Sequence, residues 1–159
     1  QHAVWFGRHL PHLEWYTSNR IENHEGIKKW LEEEQIQNVH APIALDVVKN
    51  SWPKGTFDAI FSANTTHIMA WSEVEVFVTQ AACVLPSGGR FCLYGPFDFK
   101  GREMAPSNKA FDAELKSRGA HQGIRKFEAI NDLARKNNLI FSENNDLPAN
   151  NHLLIWRKK

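Results

Sequence analysis

The sequence predicts an α/β protein with a mostly parallel sheet, helices on both of its faces and an antiparallel hairpin at the C-terminal end. Short apolar segments suited to strands alternate with segments of helical spacing along most of the chain. Parallel neighbouring strands need crossover connections, which these helices provide. The last two strand segments are joined only by a turn, so the final strand runs antiparallel. The length of 159 residues and the hydrophobic content of 42% fit a single domain over residues 1–159.

Five segments have apolar residues at helical spacing. They are residues 1–10, 24–35, 72–85, 107–118 and 127–137. Pro11 prevents the first helix from continuing, because proline lacks the N–H group that a helix interior needs. Ser72 and Glu75 have the spacing of a capping box at the start of the third helix. Ser107 is the expected N-cap of the fourth helix, and Gly119 is its expected terminator.

Six short segments are predicted to be strands. They are residues 13–18, 42–45, 57–63, 90–94, 139–141 and 153–156. A turn at residues 86–89 leads into the fourth of these strands, because its Pro-Ser-Gly-Gly sequence favours turn conformations. Residues 148–151 connect the two strands of the C-terminal hairpin.

Composition and charge exclude several classes of function. The net charge is only +1 and no run of five or six like charges occurs, so nucleic-acid binding is not expected. The weakly charged stretch 60–71 is too short and too polar to span a membrane. Cys83 and Cys92 lie in apolar surroundings outside a C-x-x-C pattern, which favours buried, reduced thiols and a cytoplasmic protein. No histidine pair has the ligand spacing of a metal site, so none is expected.

Polar residues follow several of the predicted strands. Ligands of open α/β sheets bind outside the carboxyl ends of the strands. Asp46, Asn64 and Tyr94 end or follow a predicted strand, and His67 comes shortly after Asn64. We predict that His67 is catalytic, because an imidazole can orient an acceptor or remove its proton. The alternative is a partly buried histidine packed under Trp71.

Structural roles stay open for the other candidates. Asp46 also suits a carboxylate that caps a turn or a helix. Tyr94 also suits a core tyrosine whose hydroxyl reaches the edge of the sheet. Asn108 and the consecutive residues Asn150 and Asn151 could present amides to a substrate. Asparagine is also a favoured turn residue.

Several segments resemble known methyltransferases. The turn at residues 85–90 is similar to the L-x-P-G-G stretch of class I S-adenosylmethionine-dependent methyltransferases, whose sheet is Rossmann-like. More narrowly, the chain resembles the methyltransferase-like protein twenty-six family over essentially its whole length. The segments that carry this likeness are residues 1–3, 44–47, 62–69, 94–97, 106–108 and 148–151.

The resemblance implies methyl transfer from the cofactor S-adenosylmethionine to an unknown small or medium-sized acceptor. In class I enzymes the residue after the third strand binds the adenine amino group, and this residue is Asp46 here. Related sheets commonly carry an acid for the ribose at the position of Asn19, and Glu22 is a nearby substitute. The implied cofactor contacts are Gln1, His2, Asn19, Asp46, Val47 and Asn64. The implied substrate contacts are Tyr94, Asn108 and Asn150.

In the resembled family a first strand and a glycine-rich loop precede the first helix, and we expect both before Gln1. Glycine lets backbone N–H groups approach the methionine carboxylate of the cofactor closely. The strand would bury about five apolar side chains, which stabilises the fold by on the order of 10 kcal/mol. Because a whole domain has about this net stability, the 159 residues alone are expected not to form a stable monomer.

Two other functions are compatible with parts of the sequence. Asn19 in place of an acid favours a methyltransferase-like module that binds a partner or a nucleoside without catalysis. A nicotinamide-dependent oxidoreductase is disfavoured, because the C-terminal hairpin does not fit it and no Tyr-x-x-x-Lys pair is present. The sequence carries no signal for the methyl acceptor or the oligomeric state.

Overall fold

The computed structural model describes residues 2–159, which divide into two compact units, residues 2–52 and Pro53–Lys159. Helices and strands alternate along both units. Three of the five strand pairings are parallel, and the C-terminal hairpin is antiparallel. The predicted α/β fold with mostly parallel pairing and a C-terminal hairpin is therefore confirmed.

The first unit contains two helices and two strands. They are α1 (His2–His9), β1 (Trp15–Asn19), α2 (His24–Glu34) and β2 (Val39–Ala44). Strands β1 and β2 pair in parallel. Helix α1 lies close to β2 at Gly7, where an added Cβ atom would come within 2.4 Å of Val39 Cγ2. Glycine is therefore required for this contact between helix and strand.

The second unit contains a four-stranded sheet and a smaller two-stranded one. Its helices are α3 (Trp71–Val84), α4 (Pro106–Arg118) and α5 (Phe127–Lys136). Its strands are β3 (Ala59–Ala63), β4 (Arg90–Gly95), β5 (Phe97–Asp98), β6 (Arg125–Lys126), β7 (Leu139–Leu147) and β8 (Asn151–Lys158). The larger sheet has the order β3-β4-β8-β7, and β5 pairs with β6. Strands β3 and β4 are parallel, whereas β8 is antiparallel to both of its neighbours.

The hydrophobic core of the second unit is formed by side chains of α3 and of the central strands. The predicted apolar face of α3 is buried at Val74, Phe77, Val78, Ala81 and Val84. Trp156 of β8 is fully buried and its ring contacts Phe91. The indole Nε1 of Trp156 donates a hydrogen bond to Asn131 Oδ1 over 3.0 Å, which satisfies the one polar atom of this side chain.

Two predicted helix caps are wrong. Helix α3 begins at Trp71, so Ser72 lies inside the helix, and Glu73 Oε2 accepts the Ala70 N–H group over 2.7 Å. Helix α4 begins at Pro106, so Ser107 is not its cap. Proline favours the first helical position, because its fixed φ suits a helix and its missing N–H group would have no partner there.

Several strand limits and one cysteine also differ from the predictions. Strand β7 extends to Leu147 through polar residues, because pairing with β8 holds a segment that hydropathy alone ends at residue 141. Strand β2 begins at Val39 and includes Pro42, which a two-stranded sheet tolerates at its edge. Cys83 is exposed, so its predicted burial is wrong, whereas Cys92 is partly buried. Among residues 2–159, no helix has both the length and the apolar character needed to cross a membrane.

Candidate functional site

Three chain segments meet at one edge of the four-stranded sheet. Strands β3 and β4 run in parallel and end there, with Ala63 opposite Tyr94. Strand β8 runs the other way and begins at the same edge, where His152 lies opposite Gly95. The topology therefore brings the residues after β3, those after β4 and the hairpin residues before β8 to one place. This is the edge at which α/β sheets bind ligands.

Asn64 leaves β3 in the left-handed region, with φ of 56°. Its N–H group donates to the Tyr94 carbonyl over 2.9 Å, which holds the turn against the end of β4. Asparagine tolerates this conformation better than most other residues do. The predicted site residue Asn64 thus has a structural role in addition to any contact with a ligand.

Gly95 packs closely against two of the predicted residues, Asn64 and His67. A Cβ atom at this position would lie 3.3 Å from Asn64 Oδ1 and 3.8 Å from His67 Nδ1. The φ angle of Gly95 is +154°, which a residue with a side chain rarely adopts. Sequence analysis did not select Gly95, although a glycine directly after a strand is a signal of close backbone approach.

His67 is buried, with 4% of its surface exposed, and its ring meets Phe111 edge-on at 5.3 Å between centroids. Its carbonyl accepts the Gly123 N–H group over 2.9 Å. Burial lowers the pKa of His67 below the ordinary value of 6.5, and the nearby Arg125 guanidinium lowers it further. The imidazole is therefore neutral near pH 7. The predicted burial alternative is correct in part, but the aromatic partner is Phe111.

Arg125 fixes the loop that carries His67. Its Nε donates to the Thr66 carbonyl over 2.9 Å, and its Nη2 donates to the carbonyls of Met69 and His121. One guanidinium therefore holds two carbonyls of this loop and one carbonyl of the segment between α4 and β6. Sequence analysis missed Arg125, because β6 is only two residues long and has no periodic pattern.

The residues at this sheet edge line a cavity of about 580 Å³, here called the edge cavity. Its lining consists of Asn64, His67, Pro96, Ser107, Asn108, Phe111, Ala149 and Asn151. The structure therefore brings together four of the predicted residues, which are Asn64, His67, Asn108 and Asn151. Tyr94 is not part of this lining, and its side chain is partly buried in β4.

The tip of the hairpin is tied to the start of α4. Asn108 is 8% exposed, and its Nδ2 donates to the Asn150 carbonyl over 3.1 Å. Asn150 Nδ2 in turn donates to Ser107 Oγ over 3.0 Å. Asn150 has a φ of 56°, so the predicted turn conformation is present. These amides position the hairpin and also border open space. Their position is therefore compatible with a structural role and with a contact to a substrate.

A smaller cavity of about 270 Å³, here called the hairpin cavity, lies beside the hairpin and shares Asn108 and Asn151 with the edge cavity. Its lining includes Phe99, Arg102, Asp146 and His152 as well as the predicted Asn150. His152 Nδ1 lies 2.9 Å from Asp146 Oδ1. Sequence analysis missed this pair, because their alignment across β7 and β8 depends on the hairpin register.

In the first unit, Asn19 ends β1 and its side chain is used locally. Asn19 Oδ1 accepts the Arg20 N–H group over 2.8 Å and Asn23 Nδ2 over 2.9 Å. The Asn19 carbonyl lies 3.0 Å from Nε2 of the buried His24. Both lone pairs of the amide oxygen are therefore occupied, and only its NH₂ group is available to a ligand.

Asp46 follows β2, and its carboxylate organises the next turn. Asp46 Oδ1 accepts the N–H groups of Val48 and Lys49 over 3.2 and 3.3 Å, and Oδ2 lies 3.5 Å from Arg20 Nε. The Val48 hydrogen bond is the main cause that lowers the pKa of Asp46 below its ordinary value, with further contributions from Lys49 and Arg20. Val47 is partly buried, and its carbonyl accepts Trp52 Nε1 over 3.3 Å. The turn-capping alternative for Asp46 is therefore present.

Two predicted cofactor contacts lie at the start of the chain. Gln1 lies outside the described residues. His2 is the first residue of α1 and is exposed. In the part of the chain from residue 2 onwards, no group of three or more His, Cys, Asp or Glu side chains could hold a metal ion.

A model of the family described as "Protein of unknown function (DUF938)" matches residues 1–158. The chain belongs to this family. The match covers nearly the whole chain, so both units are part of the DUF938 domain.

Solved methyltransferase structures share the fold of this DUF938 chain. The S-adenosylmethionine-dependent methyltransferase SibL matches 98% of the chain with a TM-score of 0.82 at 18% identity, over 46% of its own length. An O-methyltransferase family 2 protein from Planctomyces limnophilus, in complex with apigenin, matches 98% with a TM-score of 0.86 at 16% identity, over 47% of its length. PigF with SAH matches 94% with a TM-score of 0.79 at 12% identity, over 50% of its length. The chain spans about half of these proteins and has the methyltransferase fold.

Proposed function

We propose that this DUF938 chain transfers a methyl group from S-adenosylmethionine to a small-molecule acceptor. The observation that carries the proposal is that Asn64, Gly95 and His67 lie together at the carboxyl ends of two parallel strands, where Asn64 and His67 line the edge cavity. This position is where open α/β sheets bind ligands. The shared fold with S-adenosylmethionine-dependent methyltransferases supports the same assignment.

The absence of a side chain at Gly95 lets the side chains of Asn64 and His67 lie close to the end of β4. Gly95 has no side chain, and a Cβ atom there would crowd Asn64 Oδ1 at 3.3 Å. Asn64 offers both an amide donor and an amide acceptor, which suit the amino and carboxylate groups of the methionine part of the cofactor. When bound, S-adenosylmethionine supplies a methyl group that its sulfonium has already activated.

The protein's own contribution is to position the acceptor and exclude water. His67 is neutral near pH 7 and lines the edge cavity, so its ring can exchange a hydrogen bond with an acceptor hydroxyl. Asn108 and Asn150 are proposed to present their amides to the acceptor, and Tyr94 to support the wall of the site. Phe111 contributes apolar surface that disfavours water.

Asn19, Asp46 and Val47 of the first unit are proposed contacts of a nucleoside. Asn19 would donate its NH₂ group to a ribose oxygen, because its own oxygen is already engaged. Asp46 would accept the adenine amino group at a remaining lone pair of its carboxylate, with Val47 beside it. We also propose that the chain is related to the methyltransferase-like protein twenty-six family. A cytoplasmic location is proposed as well.

A second candidate function is a binding module without catalysis. The observation that favours it is Asn19, whose amide oxygen replaces an acid and has no free lone pair for a ribose hydroxyl. Such a module would bind a partner or a nucleoside without transferring a methyl group. A methyltransferase must bind S-adenosylmethionine, whereas a binding module without catalysis need not bind it.

Isothermal titration with S-adenosylhomocysteine tests the proposal, on the protein together with any residues that precede Gln1 in the natural chain. We expect micromolar binding that Asp46→Ala weakens about tenfold or more, because the substitution removes a charged hydrogen-bond acceptor. Asp58→Ala is the matched control, because Asp58 is exposed just before the opposite end of β3. A folded protein that does not bind would contradict methyl transfer and support the binding module.

A further inference from the structure

The hairpin cavity contains an imidazole and carboxylate pair outside the predicted catalytic residues. His152 and Asp146 lie opposite each other on β8 and β7. The His152 side chain is 14% exposed, whereas the Asp146 side chain is 75% exposed. Both line the cavity, and His152 is also the cross-strand neighbour of Gly95. The pair therefore lies at the same sheet edge as the edge cavity.

The surroundings of His152 determine which of its nitrogens carries the proton. Nδ1 lies 2.9 Å from Asp146 Oδ1 and 3.1 Å from Asn144 Oδ1. An ionised carboxylate can only accept a hydrogen bond, so Nδ1 is the donor. The neutral ring therefore has its lone pair on Nε2, and none of residues 2–159 forms a hydrogen bond with Nε2. This is the arrangement that a proton acceptor requires.

Electrostatic partners distinguish His152 from His67. Burial is the main cause that lowers the pKa of each ring. Arg125 lowers the pKa of His67 further, and no carboxylate opposes it. For His152, Asp146 raises the pKa against burial and against the charge of Arg102. An imidazolium formed at His152 would be stabilised by Asp146, whereas no carboxylate does this for His67.

Arg102 supplies an anion-binding group in the same cavity. Its guanidinium lies 5.3 Å from the Phe99 ring centroid, and the His152 ring meets the same Phe99 ring at 4.7 Å between centroids. The other acidic residue of the lining, Glu103, pairs with Lys109 over 2.6 Å. Within residues 2–159, no carboxylate forms an ion pair with Arg102. Its charge is therefore available to an anionic ligand.

We propose that His152, held by Asp146, is the general base for an acceptor that carries an acidic hydroxyl and an anionic group bound by Arg102. This inference rests on the proposed function and adds the acceptor class and the base, so that His67 orients the acceptor and His152 removes its proton. Aromatic walls such as Phe97 and Phe99 favour an acceptor built on a single ring. A cavity of about 270 Å³ lies just below the usual range of ligand pockets, which restricts the acceptor to a small molecule.

The proposed step is a proton transfer inside the hairpin cavity. The O–H bond of the acceptor breaks, an N–H bond forms at His152 Nε2, and the bonding electron pair stays on the acceptor oxygen. The acceptor becomes an oxyanion and His152 becomes an imidazolium, so charge is conserved. Asp146 is a positioning residue that stabilises the imidazolium, and the oxyanion holds the electron pair that attack on a methyl group needs.

The probe for this proposal is 4-hydroxy-3-nitrobenzoate, whose phenolate absorbs visible light whereas its phenol does not. It carries a carboxylate for Arg102 and a phenol for His152. We expect the probe to bind and to turn yellow at a pH below the pKa of the free phenol. The apparent pKa of the bound phenol should fall by about one unit or more, a change of tenfold or more in ionisation.

Variants of Arg102 and His152 test the role of each residue separately. Arg102→Gln should weaken probe binding about tenfold, because it removes a charge-assisted hydrogen bond. His152→Gln should bind the probe as the phenol, without the visible absorbance. Matched controls are Arg118→Gln, which removes an arginine paired with Glu114 on α4, and His40→Gln, which removes a histidine paired with Glu14 in the first unit. Neither control should change the absorbance or the affinity.

Asp146→Asn provides a second test if His152→Gln fails to fold, because the Asp146 side chain is mostly exposed. Its readout is the ¹⁵N spectrum of the His152 ring. Wild-type protein should show the proton on Nδ1, and the Asn variant should lose this preference together with ionisation of the bound probe. A proton on Nε2 in wild-type protein, or a probe that ionises equally in Asp146→Asn, would overturn the proposal.

The outcome is independent of the cofactor experiment. If S-adenosylhomocysteine binds but the probe does not bind or does not ionise, methyl transfer stands and the proposed base and acceptor class are wrong. If the probe ionises but S-adenosylhomocysteine does not bind, His152 acts as a proton acceptor in a protein of another function. Each result therefore addresses one proposal alone.

Discussion

The amide oxygen of Asn64 lies 3.3 Å from the position that a Cβ atom on Gly95 would occupy. Asn64 follows β3 and Gly95 ends β4, and the Asn64 N–H group donates to Tyr94 directly before Gly95. The parallel pairing of the two strands produces this approach. The absence of a side chain at Gly95 therefore leaves space for the Asn64 amide, and filling this space should affect ligand binding before it affects the core.

Gly95→Ala tests whether that space is needed. We expect a loss of about 1–3 kcal/mol in unfolding free energy from the positive φ, together with loss of S-adenosylhomocysteine binding from crowding at Asn64. Gly88→Ala is the matched control, because Gly88 has a φ of +81° and nothing within 4 Å of its added Cβ. Denaturant unfolding and calorimetric titration measure the two effects. Binding by Gly95→Ala with wild-type affinity would show that the space is not part of the site.

Substitutions of Asn64 separate its backbone role from its amide. Asn64→Gly keeps the left-handed conformation, so its stability should stay within about 0.5 kcal/mol of wild type. Asn64→Ala should lose about 1 kcal/mol, because alanine disfavours this φ. Both variants lack the amide, and we expect both to bind S-adenosylhomocysteine at least about tenfold more weakly. Full affinity in Asn64→Gly would restrict Asn64 to its structural role.

The limits of sequence analysis are clear from particular residues. Helix α2 and the apolar face of α3 follow periodic patterns, and both were predicted correctly. Asn64 and Gly95 come directly after predicted strands. The rule that ligands bind outside the carboxyl ends of strands can therefore locate both. His152 and Asp146 could not, because their pairing depends on a β7 strand whose second half is polar and on a register that only the folded hairpin defines.

His67 should make stability depend on pH. Its folded-state pKa lies below the ordinary value of 6.5, so the unfolded chain binds a proton there at a pH where the folded protein does not. The free energy of unfolding should therefore be highest above about pH 6.5 and should fall as the pH falls through the folded-state pKa. His67→Gln should reduce this slope, and Ser117→Ala, which changes no titratable group, should keep it. Urea titrations across this range provide the measurement, and an unchanged slope in His67→Gln would contradict the assignment.

The two cysteines should differ in reactivity. Cys83 is exposed, whereas burial raises the pKa of Cys92 to about 11. Only the thiolate reacts, so at pH 8 we expect iodoacetamide to modify Cys83 and leave Cys92 largely unmodified in the folded protein. Mass spectrometry of peptides measures both sites, and denatured protein should react at both. Equal modification of the two thiols in the folded protein would contradict the burial of Cys92.

The most direct test of the central claim is a titration with S-adenosylhomocysteine followed through the backbone amide signals of the ¹⁵N-labelled protein, with any residues that precede Gln1 included. We expect the amide signals of Asn64 and Gly95 to shift and to saturate together with one dissociation constant. The signals at the far end of β3 near Asp58 should change little. A well-dispersed spectrum whose Asn64 and Gly95 signals do not move at saturating ligand would contradict a cofactor site at this edge of the sheet.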